Sequence, residues 1–282
     1  MSSIAPPFPV SLTKLGGRRA LRAGGGEPLF LLHGLTASAT HWRRLVPLLS
    51  PHHAVVAPTA LGHRGGLTPA TRPVRIEHVV DDVERCIDEL GYDKVHLAGN
   101  SMGGWVALEL ARRGRALSVC ALSPAGAWEA SAKEPGGQLL HASVRRARWF
   151  RPLLPLIAPL PSVRRRALGD MAVHGDRTSA SELLGIVADV LACTIHDDLI
   201  STPERLMPLR AQCPITLAWS AQDRLFPLHV NGHRARELVP DARFVALEGV
   251  GHVPMFDNPQ LVADTILQST ALAMRKRATR AS

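Results

Sequence analysis

Short apolar runs alternate with amphipathic segments over most of the chain. PLFLLHG (Pro28–Gly34), HAVVAPT (His53–Thr59), KVHLAG (Lys94–Gly99), LSVCALS (Leu117–Ser123), PITLAWS (Pro214–Ser220) and ARFVAL (Ala242–Leu247) are largely apolar at successive positions. That pattern predicts strands covered on both faces. Between them the period changes. Ile76, Val79, Val80, Val83, Ile87 and Leu90 fall on one stripe of a helix that Gly91 ends. Trp42, Leu45 and Leu49 share one side of a further helix, which Pro47 shortens or bends. Strands alternating with helices predict βαβ units and a mostly parallel, buried sheet.

The alternation fails from about 128 to 206. There the chain is arginine-rich and punctuated by proline, and SASELLGIVADVLACTIHDD has a helical period. Strand-like runs resume at Pro214. The expected organisation is one core, 1–127 and 207–274, carrying an inserted helical lobe at 128–206. Residues 275–282 read as a disordered basic tail.

One junction between strand and helix carries chemistry. Gly99-Asn100-Ser101-Met102-Gly103 lies between the KVHLAG strand and the helical MGGWVALELARRG. A serine on so tight a strand–turn–helix is a nucleophile elbow, with glycines where side chains would strike the neighbouring strand and helix. A serine hydroxyl is a weak nucleophile until a base takes its proton. The base must come from a later sheet-end loop, which selects His252 in EGVGHVPMFDNP. The acid between them in sequence is Asp223 in WSAQDRLFP; its competitors, Asp197 and Asp198, lie in the inserted lobe. Two amides are needed for a developing oxyanion, and the positions expected are Met102, after the serine, and Leu35, after the His33-Gly34 turn. His33, Asn100, Trp128, Val253 and Met255 are candidates for the substrate pocket, although His33 also suits a buried, hydrogen-bonded turn.

The HG turn, GNSMGG, SAQDRLFP and GVGHVPMFDNP, in that order, resemble the α/β-hydrolase family over about residues 25–125 and 207–272. The resemblance implies an α/β fold: a mostly parallel eight-stranded sheet, helices on both faces and an inserted helical cap. It further implies an esterase-like serine hydrolase with a Ser101–His252–Asp223 triad, a small-molecule acyl substrate, and no metal or organic cofactor. A serine at the elbow sets the chain apart from the epoxide hydrolases and haloalkane dehalogenases of this fold, which use aspartate there. Two alternatives remain open at this point. GNSMGG resembles the elbow of the meta-cleavage carbon–carbon bond hydrolases, yet Val253 stands where those enzymes usually carry tryptophan. A non-catalytic ligand-binding member is the other. One departure is Thr59, where the family usually has aspartate, and the following His63 and Arg64 read as solvated loop residues.

Composition adds bounds. With 46% hydrophobic and 20% charged residues, the chain resembles a globular domain with a sizeable core. Its net charge of +9 comes mostly from arginine, since only Lys14, Lys94, Lys133 and Lys276 are lysines. No aromatic-interleaved basic ladder or helix-turn-helix accompanies that charge, so no nucleic-acid partner is expected. No apolar run approaches the roughly 20 residues a bilayer requires. Basic side chains such as Arg145, Arg146, Arg148 and Arg151 leave peripheral contact with an anionic membrane open. The N-terminus does not read as a secretory signal, and four singly spaced cysteines suit a reduced compartment, so a cytoplasmic monomer or homodimer is expected.

Overall fold

The computed structural model describes residues 10–128, 135–202, 204–210 and 212–281. Eight strands form one sheet: β1 Ser11–Leu15, β2 Arg18–Ala23, β3 Pro28–Leu32, β4 Ala54–Pro58, β5 Val95–Asn100, β6 Ala116–Leu122, β7 Ile215–Ser220 and β8 Arg243–Leu247. Their spatial order is β1-β2-β4-β3-β5-β6-β7-β8. β1 and β2 pair antiparallel with each other, and β2 antiparallel with β4; all other pairs are parallel. The mostly parallel eight-stranded architecture is thus as expected.

Helices cover both faces because successive strand residues point to opposite sides. Phe30 and Leu97 face one core, with Val79, Val83 and Ile87 of α2 (Ile76–Glu89) and Val106 and Leu110 of α3 (Met102–Arg112). Leu29, Leu31 and Ala98 face the other, with Leu49 of α1 (Val46–Leu49) and Trp42 and Leu45 before it. Each such side chain taken from water contributes about 1.5–3 kcal/mol. The single helix expected around Pro47 is instead a 3₁₀ turn, Ala39–Trp42, followed by one α-turn that carries Pro47 near its start. There the missing N–H costs nothing, because first-turn amides have no intrahelical acceptor.

Between β6 and β7 the described chain is helical: α4 Pro135–Phe150, α5 Leu154–Ile157, α6 Pro161–Ala167, α7 Ala180–Ala192 and α8 His196–Ser201. α7 starts at a reciprocal cap, with Ser179 Oγ accepting from Glu182 N–H and the Glu182 carboxylate accepting from Ser179 N–H. After β7 come α9 His233–Leu238, α10 Pro254–Asp257 and α11 Pro259–Ala281. α11 runs through the segment whose composition suggested a disordered tail, so the backbone there is helical up to Ala281. No helix among the described residues is long and apolar enough to cross a membrane.

Candidate active site

Ser101 sits between β5 and α3 with φ 55° and ψ −118°. A non-glycine residue there is strained and persists only where its surroundings over-determine it. Ser101 N–H donates to Leu122 O at 3.0 Å, and its carbonyl accepts from Trp105 N–H and Ala125 N–H. The flanking glycines have a steric cause. A Cβ on Gly99 would lie 2.1 Å from Gly103 O, and one on Gly103 would lie 2.1 Å from Leu32 O. Among the described residues, neither Leu35 N–H nor Met102 N–H donates to a protein acceptor. Both residues line the same cavity as Ser101.

His252 and Asp223 meet from two other sheet-end loops. His252 Nδ1–H donates to Asp223 Oδ2 at 2.7 Å, and both side chains are buried. Asp223 Oδ1 accepts from the amides of Leu225 (3.0 Å) and Phe226 (2.8 Å), so the carboxylate is fixed from both ends. This arrangement leaves His252 Nε2 as the basic nitrogen. Ser101 and His252 open onto one cavity but are not hydrogen-bonded to each other. Such bonds are often loose before substrate is bound. Two side chains hold the histidine loop. Asn100 Nδ2 donates to His252 O at 2.9 Å, and Asp257 accepts from the amides of Gly251, Val173 and His174. The competitors Asp197 and Asp198 lie in α8 instead: Asp198 pairs with Arg72, and Asp197 with His141 and His196.

The cavity measures about 360 Å³. Asn100, Trp128 and Val253 line it, together with Ile186, Val190 and Ile200 from the inserted segment. Trp105, Trp128, Phe226 and His252 form a chain of ring contacts with centroids 5.7, 5.9 and 5.0 Å apart. Met255 and His33 are placed elsewhere. Met255, within α10, is buried in the core among apolar side chains. His33 does not line the cavity, and both its ring nitrogens are engaged: Nδ1–H donates to Gly34 O (2.8 Å) and Nε2 accepts from Ala60 N–H (3.0 Å).

Further residues emerge that the motifs did not mark. His63, expected in a solvated loop, is buried against His33 with ring centroids 4.8 Å apart. Its Nε2 accepts from Thr36 N–H and its Nδ1–H donates to Leu61 O. Thr36 itself has φ 65°, so His63 holds a strained residue next to Leu35. Arg64 is not free either: it reaches across to Asp189 of α7 at 2.6 Å. His41 lines the cavity, and burial lowers it to about 4 despite the opposing pull of Asp189. These residues are single polar positions in loops, and only a spatial partner gives them meaning.

Burial pushes the thiols of Cys86 and Cys120 up, to about 11 and 12. Cys193, at the end of α7, differs: burial opposes ionisation there too, but His63 and His196 draw it down to about 6. It does not line the Ser101 cavity. Among the described residues one group has metal-type donors within 4.8 Å of one another, His141, His196 and Asp197. It is largely exposed, and its donors already pair with each other at 3.3 and 3.5 Å.

The family model described as alpha/beta hydrolase family matches residues 29–265. The chain is 36% identical over 204 residues to epoxide hydrolase EphH of Mycobacterium tuberculosis, spanning 67% of this chain and 91% of that one. The solved structure of epoxide hydrolase CorEH without ligand superposes with a TM-score of 0.71 at 21% identity, covering 94% of this chain and 99% of that one. Naproxen esterase from Bacillus subtilis superposes with a TM-score of 0.66 at 18% identity, covering 93% and 90%. With strand order, elbow and family match in agreement, the chain belongs to the alpha/beta hydrolase family, and hydrolysis is its chemistry.

Proposed function

We propose that the protein is a serine hydrolase that cleaves a carboxylic ester of a small to medium hydrophobic substrate. The observation that carries the reading is Ser101 at the strained elbow, sharing an apolar cavity with a His252 whose Nδ1–H is held by Asp223 at 2.7 Å. Ser101 Oγ attacks the ester carbonyl while His252 Nε2 takes its proton. The amides of Leu35 and Met102 hold the tetrahedral oxyanion, each lowering the barrier by about 3 kcal/mol. Asp223 keeps the imidazole in the correct tautomer and balances its transient charge. His252 passes the proton to the departing alkoxide oxygen, which leaves as alcohol. Water then gives His252 a proton and its hydroxide adds to the acyl carbon. The second tetrahedral intermediate collapses to the carboxylic acid and Ser101, reprotonated from His252. Residues 128–206 act as the lid over this chemistry, set on a core of 1–127 and 207–274.

The epoxide hydrolase relatives raise a second chemistry, which the nucleophile disfavours. Opening an epoxide with a carboxylate gives an ester that water can cleave at its carbonyl. Opening it with Ser101 would give an alkyl ether, which offers water no carbonyl and ends turnover. The test is intact mass after a fluorophosphonate probe, with hydrolysis of p-nitrophenyl butyrate measured alongside. A single adduct on the parent, none on Ser101→Ala, and esterase activity in the parent alone are expected. A folded parent that neither labels nor hydrolyses esters would overturn the reading.

A further inference from the structure

The end of α4, together with α5 and α6, presents a surface that the hydrolase chemistry does not use. Trp149 and Leu156 are each 78% exposed, and Phe150, Leu153 and Leu160 are more than half exposed. Large side chains do not crowd together in water without a reason, and such a patch with a charged rim marks an interaction site. Its rim is cationic. Between Glu134 and Asp170 the sequence contains seven arginines and no acidic residue. Arg146 pairs with Asp170 and Arg165 with Asp176. Arg145, Arg148, Arg151 and Arg166 have no acidic partner among the described residues.

The patch also leads inward. A second cavity, of about 270 Å³, lies beneath it and is lined by Phe150, Leu154 and Ile157. Met171, Ile186 and Val190 line both this cavity and the one that holds Ser101. An apolar surface, an apolar chamber and the cavity of Ser101 therefore adjoin one another, the two cavities sharing Met171, Ile186 and Val190 as walls.

We propose that the α4–α6 surface docks on an anionic lipid bilayer, and that the substrate is an ester borne by that bilayer, taken in past Phe150 towards Ser101. An exposed tryptophan among leucines suits the headgroup boundary, with unpaired arginines against lipid phosphates. A protein partner or a second copy would satisfy the apolar side chains but would leave a ring of like charges needing acidic partners. Two copies of this chain would oppose arginine to arginine. The substrate class rests on the esterase reading above; the docking does not.

The experiment is flotation with phosphatidylcholine vesicles, with and without 30% phosphatidylglycerol, comparing the parent with Trp149→Ser/Leu156→Ser. Neither altered residue lines either cavity. The parent is expected to float with the anionic vesicles, to be released at high salt, and to bind at least tenfold more weakly in the double variant. Hydrolysis of 4-methylumbelliferyl palmitate carried in the vesicles should fall at least tenfold in the variant, and that of dissolved p-nitrophenyl butyrate should not change. A parent that ignores anionic vesicles, or a variant that binds them equally well, overturns the docking. A parent dimer that the double substitution dissociates, without vesicle binding, assigns the patch to a second copy. Vesicle binding without hydrolysis of either ester overturns the esterase reading and leaves the docking standing.

Discussion

At the scale of single residues, the site depends on polar groups whose partners fix their orientation. Asp223 accepts three hydrogen bonds, from His252 and from two backbone amides. Asp223→Asn keeps the shape but turns an acceptor into a donor facing Nδ1, which favours the wrong histidine tautomer. A fall in kcat of about 10⁴ is expected with the fold intact, measured with p-nitrophenyl butyrate and circular dichroism. His63 accepts from the Thr36 amide, next to Leu35, and on the proposed reading it would position the Leu35 amide. His63→Ala would leave that buried N–H without an acceptor, at a cost of about 1–3 kcal/mol, and would let Thr36 relax out of its left-handed conformation. The expected signature is a lower kcat with KM nearly unchanged, partly restored by His63→Gln. A matched loss in KM, or no kinetic change, would rule out the positioning role. His41 supplies a pH dependence. Largely shielded in the cavity wall and neutral in the fold down to about pH 4, it takes a proton near 6.5 in the unfolded chain. The unfolded state then binds the extra proton, so stability is complete above pH 6.5 and falls as the pH drops towards 4. His33 is displaced in the same direction, mainly by burial. Tm should fall between pH 7.5 and 5, and His41→Gln should flatten part of that slope.

The elements differ in how plainly the sequence announces them. Strands β3 to β7 are largely buried and read as continuous apolar runs; β8, at the far edge of the sheet, keeps the apolar run although Arg243 and Ala246 are exposed. β1 (SLTKL) and β2 (RRALRA) lie towards the sheet edge, mix charged with apolar residues, and are joined through Gly16-Gly17; nothing in their local pattern distinguishes them from loop. β2 even carries a fully buried arginine, Arg18, which becomes intelligible only beside Asp82 of α2 at 2.9 Å. The serine, histidine and acid were legible because each sits in a short motif at a strand end. The side chains that join the inserted segment to the core were not, since their partners lie more than a hundred residues away. Asp189 of α7 is the chief of these: it is fully buried and accepts from Ser38 and Thr40 and from the Arg64 guanidinium. Removing it takes one acceptor from the part-exposed Arg64 and from two hydroxyls that still bond each other. Asp189→Ala should lower stability by about 1–3 kcal/mol, read by urea denaturation. Hydrogen exchange should rise first in α7 and in the 36–42 loop, because those are the segments the carboxylate joins. Uniform exchange across the chain would mean that Asp189 serves the whole core instead.

At the scale of the whole molecule, fold alone does not select a reaction, and this fold serves both epoxide hydrolases and esterases. On the reading proposed above, what selects is one atom at the end of β5 and the space around it. The cavity is lined mostly by apolar groups from the sheet end and the inserted helices together. An acyl chain lying in it leaves water one methylene at a time, at about 0.8 kcal/mol each. Along a series of p-nitrophenyl esters from acetate upward, KM should therefore fall up to about fourfold per methylene until the lining is filled, and then level off. The serine sets the other limit. On the proposed esterase reading, its ester intermediate presents a carbonyl in the cavity that Leu35, Met102 and His252 also line, so water can finish the cycle. Its adduct with an epoxide presents none. Incubation with styrene oxide should give no sustained diol release and at most one covalent adduct per chain, lost in Ser101→Ala, as read by intact mass. Multiple turnovers of the epoxide would show that a group other than Ser101 attacks the substrate, and the assignment of the elbow as nucleophile would fail with it.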